Sequence, residues 1–153
     1  MKKILLIICL LLTGCSKDTK NYISKVINLD VKSCIIEDEK DTHSGFLGDG
    51  DYFAKLDCSK VDNFEISDWK DMPLSSNIDE VMNLVQCSDE CKSAKERYNI
   101  KEINNGYYYF VDRHGDSTDK YDDKDLNNRP SYNFSLALYD EDNKIIYYYE
   151  LDT

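Results

Sequence analysis

Two short triplets in the chain carry residue types that do chemistry. Asp41-Thr42-His43 and Asp112-Arg113-His114 share a D-x-H spacing and contain both of the chain's histidines. In an extended strand, residues two apart point to one side, so each triplet would present a carboxylate and an imidazole together. If the two strands were neighbours, Asp41, His43, Asp112 and His114 would supply the nitrogen and oxygen donors that zinc or iron accepts. A divalent metal held there would activate water and imply a metal-dependent, hydrolase-like enzyme. The opposing reading is that both triplets are polar strand ends leading into loops. The surrounding residues favour it, because no HExxH-type context accompanies either histidine.

The other chemical candidates are weaker still. Gly45, Gly48 and Gly50 form GxxGxG, which is not the dinucleotide fingerprint, and a strand follows where that motif needs a helix. These glycines suit positive φ angles in a wide turn, with Phe46 and Leu47 folding over the core. Asp116, Asp119, Asp122, Asp123 and Asp125 crowd one loop, but the alternating ligands, central glycine and closing glutamate of an EF-hand are missing, so a solvated loop is expected rather than a Ca²⁺ site. Cys87 and Cys91 are spaced CxxxC, unlike the CxxC of thiol oxidoreductases. No GxSxG motif is present, and no Ser, Cys or His triad can be assembled. The expected catalytic residues are therefore none, and a binding protein is preferred to an enzyme.

These residues must be positioned by the elements around them. A hairpin that turns at Asp41–Asp51 needs a strand up to about Glu37 and a return over Tyr52–Leu56. Ile27, Leu29 and Val31 alternate with Asn28, Asp30 and Lys32 and read as the start of the outgoing strand. Cys34 and Cys58 are equidistant from Phe46, so this hairpin would place them opposite one another as a cross-strand disulfide. Cys87 and Cys91 would then form a short local bond, which requires a helix break. Trp69 should anchor the turn-rich segment after the hairpin. Asn77 followed by Glu80 reads as a capped helix start, with Ile78, Val81, Met82 and Val85 as one apolar stripe. Ser88 is expected to cap a second, more polar helical piece. From Gly106 the period becomes two. Gly106–His114 is an aromatic strand, and Tyr132–Leu151 is a hairpin turning at Glu141–Lys144 with Asn143 at positive φ. The fold class is α+β, an antiparallel sheet of about five strands with one main helix packed on a face. Among twelve tyrosines, runs at Tyr107–Tyr109 and Tyr147–Tyr149 put rings on both sheet faces. One set builds the core; the other is either covered or left as an aromatic surface for a partner.

The N-terminus speaks to location. Lys2 and Lys3 precede a nine-residue apolar run, Ile4–Leu12, too short to cross a bilayer and suited to a signal peptide. Leu12-Thr13-Gly14-Cys15 resembles the lipobox of bacterial lipoproteins. That resemblance implies acylation of the Cys15 thiol, with palmitate-type chains as the anchor, and cleavage before Cys15 by a type II signal peptidase. The body, with its "NGYYYFVDRH" and "YYYELDT", resembles small exported proteins of Gram-positive bacteria that carry no assigned activity, and so implies an address and no mechanism. Scarce Ala, Arg and Pro beside abundant Lys, Asn, Ile and Tyr fit an A/T-rich genome of that kind. The expected layout is a signal peptide over 1–14, a polar tether over 15–21 and one domain over 22–153. Loss of Lys2 and Lys3 takes the formal charge from −11 to −13. So acidic a chain is a poor partner for nucleic acid and would stand off an anionic membrane. The expected protein is a lipid-anchored lipoprotein of the cell membrane's outer face that binds, without catalysis, a protein partner through an aromatic and acidic face.

Overall fold

The computed structural model describes residues 15–153 apart from 45–47, 88–90 and 116. The expected signal peptide over 1–14, the expected turn residues Phe46 and Leu47, the expected cap Ser88 and Asp116 lie outside the described residues. The architecture is α+β: a six-stranded antiparallel sheet in the order β1-β2-β8-β7-β6-β3, with three helices among the described residues. The strands are β1 (Ile35–Asp41), β2 (Gly50–Asp57), β3 (Lys70–Asp71), β6 (Gly106–Asp112), β7 (Asn133–Asp140) and β8 (Ile145–Asp152), and β4 (Gln86–Cys87) with β5 (Cys91–Lys92) forms a separate two-residue ladder. The helices are α1 (Cys15–Val26), α2 (Ser76–Asn83) and α3 (Ala94–Arg97).

Alternation divides the sheet into two faces, and each has its own core. On one face Phe53, Phe110, Phe134, Leu136, Leu138, Tyr147, Tyr149 and Leu151 pack with Ile78, Val81 and Met82 of α2 and with Ala94 and Tyr98 at α3. On the other, Ala54, Leu56, Tyr109, Ala137, Ile146 and Tyr148 receive Ile23 and Ile27 from α1 and the segment carrying Phe64 and Trp69. The expected main helix, α2, packs on one face, and α1 adds a cover on the other. The tyrosine runs alternate as expected, but both sets are covered, so the sheet leaves no aromatic face open. Trp69 does anchor its segment, its indole N–H donating to the Ile27 carbonyl at 3.2 Å.

The first strand is corrected too. Residues 15–21, expected as a tether, belong to α1. Asn28 takes a left-handed φ of 51°, and the Leu29 N–H bonds the Ser24 carbonyl, a Schellman-type ending that asparagine tolerates. Ile27, Leu29 and Val31 are buried because the chain winds back over the sheet, not because they alternate in a strand. The hairpin that follows has the expected register: Ile35 pairs with Asp57, and Cys34 and Cys58, with Cα atoms 4.4 Å apart, form the disulfide. A one-residue bulge at Glu37 shifts the pairing beyond it. Cys91 is likewise disulfide-bonded, and its register partner across the β4–β5 ladder is Cys87.

Helix α2 starts two residues earlier than expected. Its cap is Ser75, whose hydroxyl accepts from the Ile78 N–H at 3.3 Å and itself donates to Asp123. Asn77 instead sends its amide to the Asp123 carbonyl. Asp123, from the Asp-rich loop, thus holds Ser75 in the capping position. Val85 falls beyond the helix and is 60% exposed. The next helical piece, α3, is capped by Ser93 in a capping box with Glu96. In the β7–β8 turn the positive φ falls on Lys144, at 55°, because Asn143 is occupied in capping Asp140 with its N–H and side-chain amide.

Candidate functional site

Sheet register assembles a row of side chains that sequence distance hides. Asp41 pairs with Tyr52, Tyr52 with Glu150, and Glu150 with Ser135, across β1, β2, β8 and β7. Paired residues share a face, here the one covered by α1. Glu39, two residues before Asp41, lies on it as well, and Thr19 and Tyr22 face it from α1. Of these, Thr19, Tyr22, Glu39, Asp41, Tyr52 and Glu150 line a cleft of about 410 Å³ together with His43.

The cleft wall is tied by charge and hydroxyl groups. Glu150, only 6% exposed, accepts at Oε1 from Tyr22 (2.8 Å), Ser135 (2.9 Å), Tyr148 (2.5 Å) and Arg113 Nη1 (3.1 Å). Arg113 also reaches the Ser135 hydroxyl, Asn133 and, at 2.8 Å, Asp152. His43 Nε2 lies 3.2 Å from the other oxygen of Asp152, and Nδ1 lies 2.7 Å from Asp41. Charges therefore alternate along Asp41, His43, Asp152, Arg113 and Glu150, each carboxylate beside a cationic group. At the outer rim Glu39 accepts from the Tyr52 hydroxyl at 2.8 Å and from Thr19 at 3.3 Å.

These contacts set the protonation of the site. Burial pulls the His43 imidazole down, but hydrogen bonds and charge from Asp41 and Asp152 outweigh it, and its pKa is raised. The His43 backbone N–H, then its ring, hold Asp41 below the usual carboxylate range. Burial, then the bond to Glu150, push the Tyr22 phenol up to about 12. Tyr52 is pushed up further by burial and by Glu39. Only the imidazolium can donate to Asp41 and Asp152 at once. The stability it adds is complete below the ordinary histidine value of 6.5 and is lost as pH rises through the raised folded value. His43→Gln should therefore lose more stability at about pH 6 than at about pH 8.5, by less than about 1 kcal/mol given the solvent screening of Asp41. Urea unfolding at both pH values checks this, and the opposite ordering would mean that His43 is held neutral.

The structure keeps the two D-x-H triplets apart. β1 and β6 have β2, β8 and β7 between them, so at ~4.8 Å per strand the triplets are about 19 Å apart. Asp112 is gripped by Arg129 through two bonds, at 2.6 and 2.9 Å, while His114 is exposed and contributes its backbone N–H to Asp112. Asp41 and His43 thus belong to the cleft, and Asp112 and His114 do not. Among the described residues no group of three His, Cys, Asp or Glu side chains is placed to hold a metal ion. His43 hydrogen-bonds to carboxylates and to no hydroxyl or thiol nucleophile among them.

Two glycines near His43 hold positions that a side chain would strain or crowd. Gly48 has φ +74° with open space around its α-carbon, whereas Gly50 has no left-handed φ but runs so close to His43 that a Cβ would sit 2.5 Å from its Cα. Gly45 lies outside the described residues. Gly48→Ala should cost about 1 kcal/mol from left-handed strain alone. Thermal unfolding measures it, and an unchanged midpoint would show that the turn relaxes.

Tyr22, Glu150, Arg113 and Asp152 were not among the residues expected from sequence. One signal was available: Glu150 follows Tyr148 on the inward period of a strand otherwise apolar there, and a carboxylate at such a position needs partners. No family model, curated protein or solved structure matches the chain.

Proposed function

We propose that the chain is a lipoprotein anchored through acylated Cys15 to the outer face of the cell membrane, and that its domain binds a protein partner without catalysis. The lipobox supports the anchor, and among the described residues no helix is long and apolar enough to cross a membrane. The observation that carries the binding reading is the cleft beside α1. It joins two tyrosines and three carboxylates, and Tyr22, at 47%, is the exposed tyrosine among the described residues. The aromatic and acidic contact surface is thus this cleft, not a sheet face. Because the cleft residues Thr19 and Tyr22 follow Cys15 by four and seven residues, an anchor at Cys15 would hold the cleft close to the membrane, open to a partner moving in that plane.

Two measurements test the proposal. Labelling cells with an alkynyl fatty acid should mark the wild-type protein and not Cys15→Ala; a labelled mutant would defeat the anchor. For partner capture the bait should be residues 15–153 with Cys15→Ser, since the buried core spans Ile23–Leu151 and a bait begun at residue 22 would sever α1. Cross-linking on cells should recover one partner, and recovery of none from intact surfaces would count against a protein ligand.

A further inference from the structure

We infer that the cleft recognises one basic side chain of a polypeptide, arginine in preference to lysine. The inference rests on the binding reading above and gives that reading its chemistry. Glu39, Asp41 and Glu150 line the cleft, and the one lining group able to carry positive charge, His43, is already shared between Asp41 and Asp152. Glu39 takes hydrogen bonds from two neutral hydroxyls and no ion pair among the described residues.

A second observation is independent of that count. Glu150 is more than nine-tenths buried, and all four of its hydrogen bonds converge on Oε1, while Oε2 takes none among the described residues although Glu150 lines the cleft. An ionised carboxylate offers about four acceptor sites across its two oxygens. A buried one with an unused oxygen is poised for a further donor from the cleft side. Arg113 does not reach it, since its bond to Glu150 ends on Oε1.

The remaining walls suit a flat cation. Tyr22 and Tyr52 both line the cleft, their phenols donating to Glu150 and Glu39. A guanidinium stacks on such rings and spans two carboxylates with its fork of donors, which an ammonium does less well. At about 410 Å³ the cleft lies toward the small end of ligand sites and is adequate for one extended side chain.

The test uses the full chain, purified from membranes in mild detergent, titrated with the peptides Ac-Ala-Arg-Ala-amide, its lysine counterpart and its citrulline counterpart while the tyrosine ring resonances are followed by NMR. The arginine peptide should shift the Tyr22 and Tyr52 signals saturably, the lysine peptide more weakly, and citrulline should do neither. Glu39→Gln should weaken the arginine peptide about tenfold or more, the loss of a charged hydrogen bond. Because Glu150→Gln could disturb the buried network, the exposed Tyr22→Ala is the second variant, and it too should weaken binding with the sheet resonances unchanged. Citrulline binding as tightly as arginine, or indifference to both variants, overturns the inference. A captured partner whose recovery survives Glu39→Gln and excess arginine peptide overturns it while leaving the protein-binding reading intact. A saturable arginine response with no captured partner does the reverse.

Discussion

Arg97→Ala is expected to be among the most damaging single substitutions in the chain, costing about 3–5 kcal/mol, the range for removing one partner of a buried ion pair. Arg97 extends from α3 to the carboxylate of Asp51 on β2, Nη1 to Oδ2, at 2.9 Å. Asp51 is 2% exposed and faces the α2–α3 core beside Phe53. Its other partners, the hydroxyls of Thr42 and Tyr149, are neutral. Without Arg97 a carboxylate is left in an apolar layer with no cation, and α3 loses its charged tie to the sheet. Asp51→Asn should be milder, because Asn keeps hydrogen-bonding capacity toward Thr42 and Tyr149 and the Arg97 side chain, 18% exposed, can swing toward water. The double change to apolar residues of similar volume should recover much of the loss. Urea unfolding of the three variants gives the ranking. An Arg97→Ala cost below about 1 kcal/mol would mean that water reaches Asp51 and that the pair is no anchor.

The second large effect is expected from Cys34→Ala/Cys58→Ala. The bond closes a segment with a sequence separation of 24, and on the chain-entropy model releasing it costs about 3 kcal/mol by freeing the unfolded chain. Both residues are buried where α1, β1 and β2 meet, so small cavities add to that loss. Paired substitution is the right test, since a reductant would also open the disulfide of Cys91. The variant should unfold at lower urea with a larger m-value, because its denatured state expands. Non-reducing peptide mapping should recover Cys34 joined to Cys58. A midpoint equal to the wild type's would place the stabilisation of this hairpin elsewhere.

Local pattern carried much of the fold. Tyr132–Leu151 was legible as a hairpin because alternation assigns each residue a face, and a slip of one residue would expose the whole core set. The Cys34–Cys58 pairing was legible from symmetry about the turn, because an antiparallel register is a sum of residue numbers, and the bulge at Glu37 falls inside that pair and leaves it untouched. Helix α1 was not legible. Its apolar stripe is short, and the continuing pattern Ile27, Leu29, Val31 imitates a strand, so only packing against Ala54, Leu56 and Ile146 decides between the two periods. Ser75 and Asn77 are both good caps by type. Asp123, 48 residues away from Ser75, selects the first.

The site divides along the same line. The residue types of the opening motif, the Cys34–Cys58 pair, the acidic charge and the lipobox-like start are properties of local sequence, and they follow from composition, spacing and alternation alone. Which carboxylate His43 meets is not such a property. Asp152 is 109 residues away from it, and Glu150 is 128 from Tyr22. They come together because β8 lies beside β2 in the middle of the sheet, while Asp112 and His114, equally suited by type, are carried to β6 on its far side. Strand order is settled by which apolar faces can be buried together by α1, α2 and α3 at once. That is a balance over the whole chain, and no window of sequence contains it.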